Sequence, residues 1–120
     1  MRQIKFKGKR ISDGVWLYGD LMHLEKDFKP LIKIIDWSTK DQEVDPDTVS
    51  QFTGLTDRNG KEIYENDIVS FPVKHKNLLV EWNDDLCVYQ FSDGSLINSG
   101  DNYSEIIFIV GDVFDNPERI

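Results

Sequence analysis

The sequence predicts a mainly β chain: a small barrel, an added N-terminal β region, and at most short helical turns. Three observations carry this. Seven Phe, four Tyr and three Trp in 120 residues are a high aromatic share, and aromatics pack well on pleated surfaces. Short apolar stretches recur about every 8–12 residues with turn chemistry between them, the spacing of a small barrel or sandwich. Asn59-Gly60 is a strong hairpin signal, because both residues tolerate the positive φ that a type I′ turn requires.

Taken in order, residues 4–11 alternate Ile4 and Phe6 with cations, as a half-buried strand does. Ser12-Asp13-Gly14 is a turn signal, and residues 15–21 form a second strand close enough to pair with the first. Residues 22–30 read either as a strand end or as a helical turn, and Pro30 closes either. Residues 31–37 are apolar, β-branched and short, hence a strand. Residues 38–45 are polar and read as an exposed loop. Pro46 leads an extended entry into residues 48–52 in preference to a first helical turn, given the β-branched Thr48 and Val49.

Past the central turn, residues 61–64 and 68–71 are strands separated by the polar break at 65–67, and Pro72 caps or edges the second. Residues 74–77 form a loop tip. Residues 78–82 and 87–91 flank Asn83-Asp84-Asp85 as a hairpin, which places Cys87 inside a strand as a buried thiol. Ser92-Asp93-Gly94 turns the chain toward Leu96, residues 98–104 are loop-like, and residues 106–114 form a core strand in which Gly111 allows a bend. The region from Ile63 to Val113 offers about five strands, enough for an SH3-like barrel without edges. One domain is expected, with residues 1–52 as the N-terminal β region and 53–120 as the barrel portion.

The chain carries 14 basic and 22 acidic residues, net −8. Residues 1–19 hold five cations against Asp13, leaving −12 on the remainder. Binding to a polyanion needs a concentrated positive field, so only the N-terminal strip can supply one. No apolar run is long enough for a membrane helix, and the N-terminus lacks a signal-peptide apolar core. The lone Cys87 has no partner for an internal disulfide, which fits a reducing cytoplasm.

Several stretches together resemble a known family. They are Phe6-Lys7-Gly8-Lys9, residues 16–21 (WLYGDL), residues 49–61 (VSQFTGLTDRNGK), residues 63–69 (IYENDIV) and the ending 109–118 (IVGDVFDNPE). In this order, over nearly the whole chain, they resemble the YopX family of small proteins encoded by phages and prophages. Lys7 stands where Arg is expected and Asp112 where Asn usually follows the late Gly, departures expected to touch surface contacts. The resemblance implies a β-rich fold with an SH3-type barrel, and it brings no catalytic residues and no settled function.

Chemistry is weighed on the residues alone. Glu62, Glu65 and Asp67 flank turns, and such acids serve as solvated groups or as acceptors for their own turn's N–H groups, so no acid–base pair is assigned. Asp41, Glu43, Asp45 and Asp47 alternate, yet Pro46 intrudes and no Gly follows as a calcium loop requires. His23 and His75 lack zinc-ligand spacing, and no phosphate loop is present. The chain is therefore expected to be no enzyme and to hold no cofactor or metal. The strip of Arg2, Lys5, Lys7, Lys9 and Arg10, with Phe6, Trp16 and Tyr18 nearby, is the candidate interaction surface. Its plainer reading has Phe6 and Trp16 in the core and the lysines solubilising an edge strand. The expected role is a cytoplasmic accessory protein that binds a protein partner, itself included. The alternatives are single-strand or RNA binding by the strip, which the negative remainder opposes, and DNA mimicry by an acidic face.

Overall fold

In a computed structural model, residues 3–36, 40–97 and 103–120 are described. The chain is mainly β and divides into two compact units, Met1–Phe52 and Thr53–Ile120.

Unit 1 is an antiparallel sheet. Strands β1 (Phe6–Lys9), β2 (Trp16–Lys26), β3 (Lys29–Asp36), β4 (Lys40–Glu43) and the start of β5 (Ser50–Thr56) lie in the order β4-β3-β2-β1-β5. The β1–β2 hairpin is as expected, with Phe6 opposite Gly19 and Lys9 opposite Trp16. The plainer reading of the strip is corrected here: β1 is no edge strand, because β5 pairs along its other side through Lys7–Ser50 and Phe6–Gln51. Side chains alternate across a strand, so one face of this sheet carries Leu17, Ile34 and Val44, with Phe6, Leu21, Ile32 and Val49 packed on them. Gly8 lies under that cluster; a Cβ there would sit 3.1 Å from Val44 Cγ2 and 3.2 Å from Ile34 Cδ1.

The ambiguous stretch before residue 30 is a strand. β2 continues to Lys26, reverses through Asp27-Phe28, and returns as β3 with Lys26 opposite Lys29. Both turn residues take positive φ, 53° and 63°, which marks a two-residue type I′ turn made without glycine. Pro30 lies inside β3, opposite Glu25, and does not end it. The register makes this a pair that exchanges no ladder bonds, so the missing N–H faces away from β2, where proline is tolerated.

The polar stretch 38–45, expected as a loop, contains β4, paired to β3 from Lys33–Glu43 to Asp36–Lys40; residues 37–39 lie outside the described ones. Pro46–Thr48 form a 3-10 turn, the reading set aside for this proline, with the Asp45 carboxylate accepting from Asp47 N at 3.0 Å. A side-chain cap on the turn's first amides tipped the balance toward it.

Unit 2 begins inside β5, whose second half lies beside β6 (Glu62–Tyr64); Thr53 Oγ1 donates to Ile63 O at 2.7 Å. The turn between them joins two extended segments as expected but is not type I′. Gly60 N–H donates to Asp57 O at 2.9 Å, and Gly60 alone of its residues takes positive φ, 78°, so this is a type I turn closed by a glycine bulge. Then β7 (Asp67–Phe71), β8 (Lys76–Asn83), β9 (Val88–Phe91) and β10 (Phe108–Asp112) form a sheet in the order β10-β7-β8-β9. A register shift between Ile109 and Gly111 bends β10, as Gly111 suggested. Ile63, Val69, Val80, Phe91 and Ile107 are its buried centre, with Phe71, Phe91 and Tyr103 edge to face. Among the described residues no ladder closes this sheet into a barrel. A helical turn, α1 (Tyr103–Ile106), occupies the end of the stretch expected as loop.

Candidate functional site

The N-terminal strip is only partly assembled. Lys5, Lys7 and Lys9 alternate onto one face, and the β1–β2 register sets Tyr18 across from Lys7 and Trp16 across from Lys9 on that face. There the ammonium groups stack on rings: Lys7 Nζ lies 4.6 Å and Lys9 Nζ 5.5 Å from the Trp16 centroid, and Lys5 Nζ 5.0 Å from that of Phe52. A cation over a ring gains about 0.5–2 kcal/mol, the more when desolvated. Lys7 is 5% exposed, so this residue, expected at the surface, is interior. Trp16 already receives two ammonium groups, Phe6 packs on the apolar face, and Tyr18 is half exposed.

Arg10 is one residue out of phase with the lysines. Its Nε and Nη2 donate to Asp13 Oδ1 and Oδ2 at 2.8 and 2.6 Å, and Nη1 donates to Gln42 Oε1 at 2.6 Å. That paired contact raises the Arg10 pKa and, with the Val15 N–H, lowers that of Asp13 to about 2. Arg2 lies outside the described residues.

The acids do structural work. Asp57 is buried and accepts three backbone N–H groups: Asn59 and Lys61 on Oδ1, both at 2.9 Å, and Ile109 on Oδ2 at 2.9 Å. One carboxylate thus shapes the central turn and ties it to β10. Asp67 accepts from Tyr64 N at 2.8 Å in the β6–β7 turn, as expected of an acid in that position. Asp112, expected at a surface contact, is buried and accepts from Phe114 and Asp115 N at 2.9 and 2.8 Å; an Asn oxygen would serve equally. The Asp in TDRNG was visible in the sequence as a turn residue, but its bond to residue 109 spans 52 positions and has no local signature.

Cys87 is exposed, in the turn after β8 at φ 53°, and not the buried strand residue expected. Lys74 and Lys76 pair with Asp93 at 2.9 and 3.4 Å; the Lys74 and Ser95 bonds hold its carboxyl well below the usual range. A groove of about 610 Å³ between the β7–β8 connection and the last turn includes His75, Lys76 and Arg119. Its cations are engaged, Lys76 by Asp93 and Arg119 by the Val110 carbonyl. Among the described residues no three His, Cys, Asp or Glu side chains converge as a metal site, and no helix is long and apolar enough to cross a membrane.

Sequence reasoning missed one surface element. Beyond Asp20 on β2 and before Lys33 on β3, the two strands run on as a ribbon with no third strand paired to it among the described residues. Phe28 at its apex is 96% exposed. The available signal was mirror symmetry about residues 27–28: Lys26 with Lys29, Leu24 with Leu31.

Fold and surface define a mainly β protein of two antiparallel units, the second holding its turns with buried carboxylates. Residues 5–120 match the family described as YopX protein, and the chain belongs to that family. The crystal structure of protein EF1440 from Enterococcus faecalis is similar at TM-score 0.60 and 19% identity, over 98% of each chain; at that identity the likeness is one of fold. No curated protein matches the chain.

Proposed function

We propose that the chain is a non-enzymatic protein-interaction module, a phage or prophage accessory protein that acts in the cytoplasm of its host. The observation that carries this is Phe28. A bulky side chain in the left-handed region costs about 1–2 kcal/mol, and a solvent-exposed ring recovers none of it by packing. Strain of this kind is held in place by the surrounding pairing and clusters at functional sites. The ribbon's charges cancel, with Asp20, Glu25 and Asp27 against Lys26, Lys29 and Lys33, which favours a protein surface over a polyanion.

The nucleic-acid alternative is disfavoured by the strip's geometry. Its lysines already stack on Trp16 and Phe52, and one is interior. DNA mimicry by regularly spaced carboxylates draws no support from Asp57, Asp67 and Asp112, which are buried. The test is affinity capture from host cells, with and without nuclease, using the wild-type chain and the Asp27→Asn/Phe28→Gly variant. Nuclease-resistant protein recovered by the wild type and lost in the variant supports the proposal. Recovery that nuclease abolishes, or that the variant retains in full, rejects it.

A further inference from the structure

The two edges of the ribbon are not equivalent. With a two-residue turn, Lys26–Lys29 exchange ladder bonds, and so, by alternation, do Leu24–Leu31, Met22–Lys33 and Asp20–Ile35. The backbone groups of Leu21, His23 and Glu25 therefore face away from β3. β1 takes that side of β2 only at its start, where Phe6 lies opposite Gly19 and the Lys5 carbonyl accepts from Phe52 N at 2.9 Å. Past Asp20, the outward groups of these three residues have no hydrogen-bond partner among the described residues. The opposite edge is closed. Pro30 has no N–H to offer, Ile32 O accepts from Val44 N at 3.0 Å, and β4 covers the rest from Lys33 onward. Residues 21–26 are thus open along about 20 Å of strand, the usual length of one more strand. Such an edge is a template for pairing.

The side chains along this edge have a chemistry of their own. From the turn inward, one face carries Lys26 opposite Lys29, then Leu24 opposite Leu31, then Met22. Like charges set directly opposite repel, and neither ammonium has an acid partner among the described residues. Glu25 is one position out of phase and lies on the other face. Leu24 is 41% exposed, while Met22 and Leu31 are half-buried. The cations lack an acid, and the row behind them lacks apolar cover.

We propose that an extended segment of the partner protein adds to this edge as a strand, antiparallel to β2, with an acidic residue opposite Lys26 and apolar residues opposite Leu24 and Met22. The proposal rests on the reading of unit 1 as an interaction module and states the chemistry its partner presents. In N- to C-terminal order that is acid, any residue, apolar, any residue, apolar. β2 already pairs antiparallel with both β1 and β3, and that sense is slightly the more stable. The segment's residues facing Glu25, His23 and Leu21 exchange ladder bonds with them. Main-chain bonds then supply affinity, and the alternate side chains supply specificity. The register is fixed at both ends. A two-residue slip toward the turn sets an apolar side chain against Lys26, and a slip the other way runs into β1 at Gly19. The chain preceding the acid leaves past the turn that carries Phe28.

The test titrates the full chain by NMR with the end-blocked peptide Glu-Thr-Val-Thr-Ile-Thr, whose fourth residue faces His23. The peptide is expected to bind saturably and to shift the amides of Leu21, His23 and Glu25. His23→Pro removes an outward N–H and leaves the β3 ladder intact, as Pro30 does on the other edge, and it is expected to lose binding. The same peptide N-methylated at its fourth residue asks the same question of the unaltered chain, and it too is expected to lose binding. Lys26→Glu is expected to weaken the peptide about fivefold. A peptide with Lys in place of Glu is expected to prefer that variant to the wild type by a similar factor. No saturation by about 1 mM, full binding by the N-methylated peptide, or no recovery on charge exchange overturns strand addition at this edge. A host protein still captured by His23→Pro sinks only this inference; one still captured by Asp27→Asn/Phe28→Gly sinks the proposed function.

Discussion

Asp57 ties the central turn to β10, and replacing it removes three backbone hydrogen bonds at once. Its carboxylate is 2% exposed and accepts from Asn59, Lys61 and Ile109 N–H. In Asp57→Ala the turn amides of Asn59 and Lys61, on exposed residues, turn to water, which limits their combined loss to about 1 kcal/mol. The Ile109 amide, half-buried within β10, has less recourse to water, and a donor left unmade there costs about 1–3 kcal/mol. The sum is about 3 kcal/mol, a large fraction of the 5–15 kcal/mol by which domains are stable. Asp57→Asn is expected to cost about 2 kcal/mol, because however the amide is turned its NH₂ faces a backbone donor. Guanidinium unfolding gives both numbers, and hydrogen exchange of the Ile109 amide locates the loss. An alanine variant within about 1 kcal/mol of wild type, or an Ile109 amide that keeps its protection, refutes the reasoning.

Four further outcomes follow from other sites. Asp27→Asn/Phe28→Gly relieves left-handed strain at both turn positions and should raise the unfolding free energy by about 1 kcal/mol, read by denaturant midpoint; a loss would contradict the turn assignment. Gly8→Ala presses a methyl onto the fully buried Val44 and Ile34, which must give way by a few tenths of an ångström inside a packed cluster, and should cost about 1–3 kcal/mol. By NMR, Asp13 should titrate near pH 2 and return toward ordinary aspartate in Arg10→Gln. The sign follows: a depressed folded-state pKa contributes stability above the unfolded value, lost as pH falls toward 2. Cys87 should react with a thiol reagent in the native protein at nearly the rate of the unfolded chain.

The parts of the fold legible in the sequence are those fixed within a few residues. Ser12-Asp13-Gly14, Asn59-Gly60 and Ser92-Asp93-Gly94 each make a turn where expected, with Gly14, Gly60 and Gly94 at positive φ. Apolar, β-branched runs such as 31–35 and 68–71 became strands. What escaped was set at longer range. Residues 40–43 have no strand composition and are held by pairing with β3. The Asp27-Phe28 turn has a favoured residue in Asp27 but Phe where its geometry prefers glycine, so local propensity concealed a hairpin that cross-strand pairing enforces. Pro30 looked like a terminator because its tolerance depends on which way the missing N–H points. In the candidate strip, the alternation that put Lys5, Lys7 and Lys9 on one face was readable. Their stacking on Trp16 and Phe52 was not, since it needs β2 and β5 on either side of β1.

The most direct measurement on the ribbon is hydrogen exchange of its amides in the chain alone and with the host protein it captures. The amides of Met22, Leu24 and Lys26 bond to β3 and serve as an internal control, protected throughout. Interaction through the ribbon predicts that Leu21, His23 and Glu25 exchange quickly in the chain alone and become protected when that protein is bound. If these three exchange at the unprotected rate in both, the ribbon is not the interaction element.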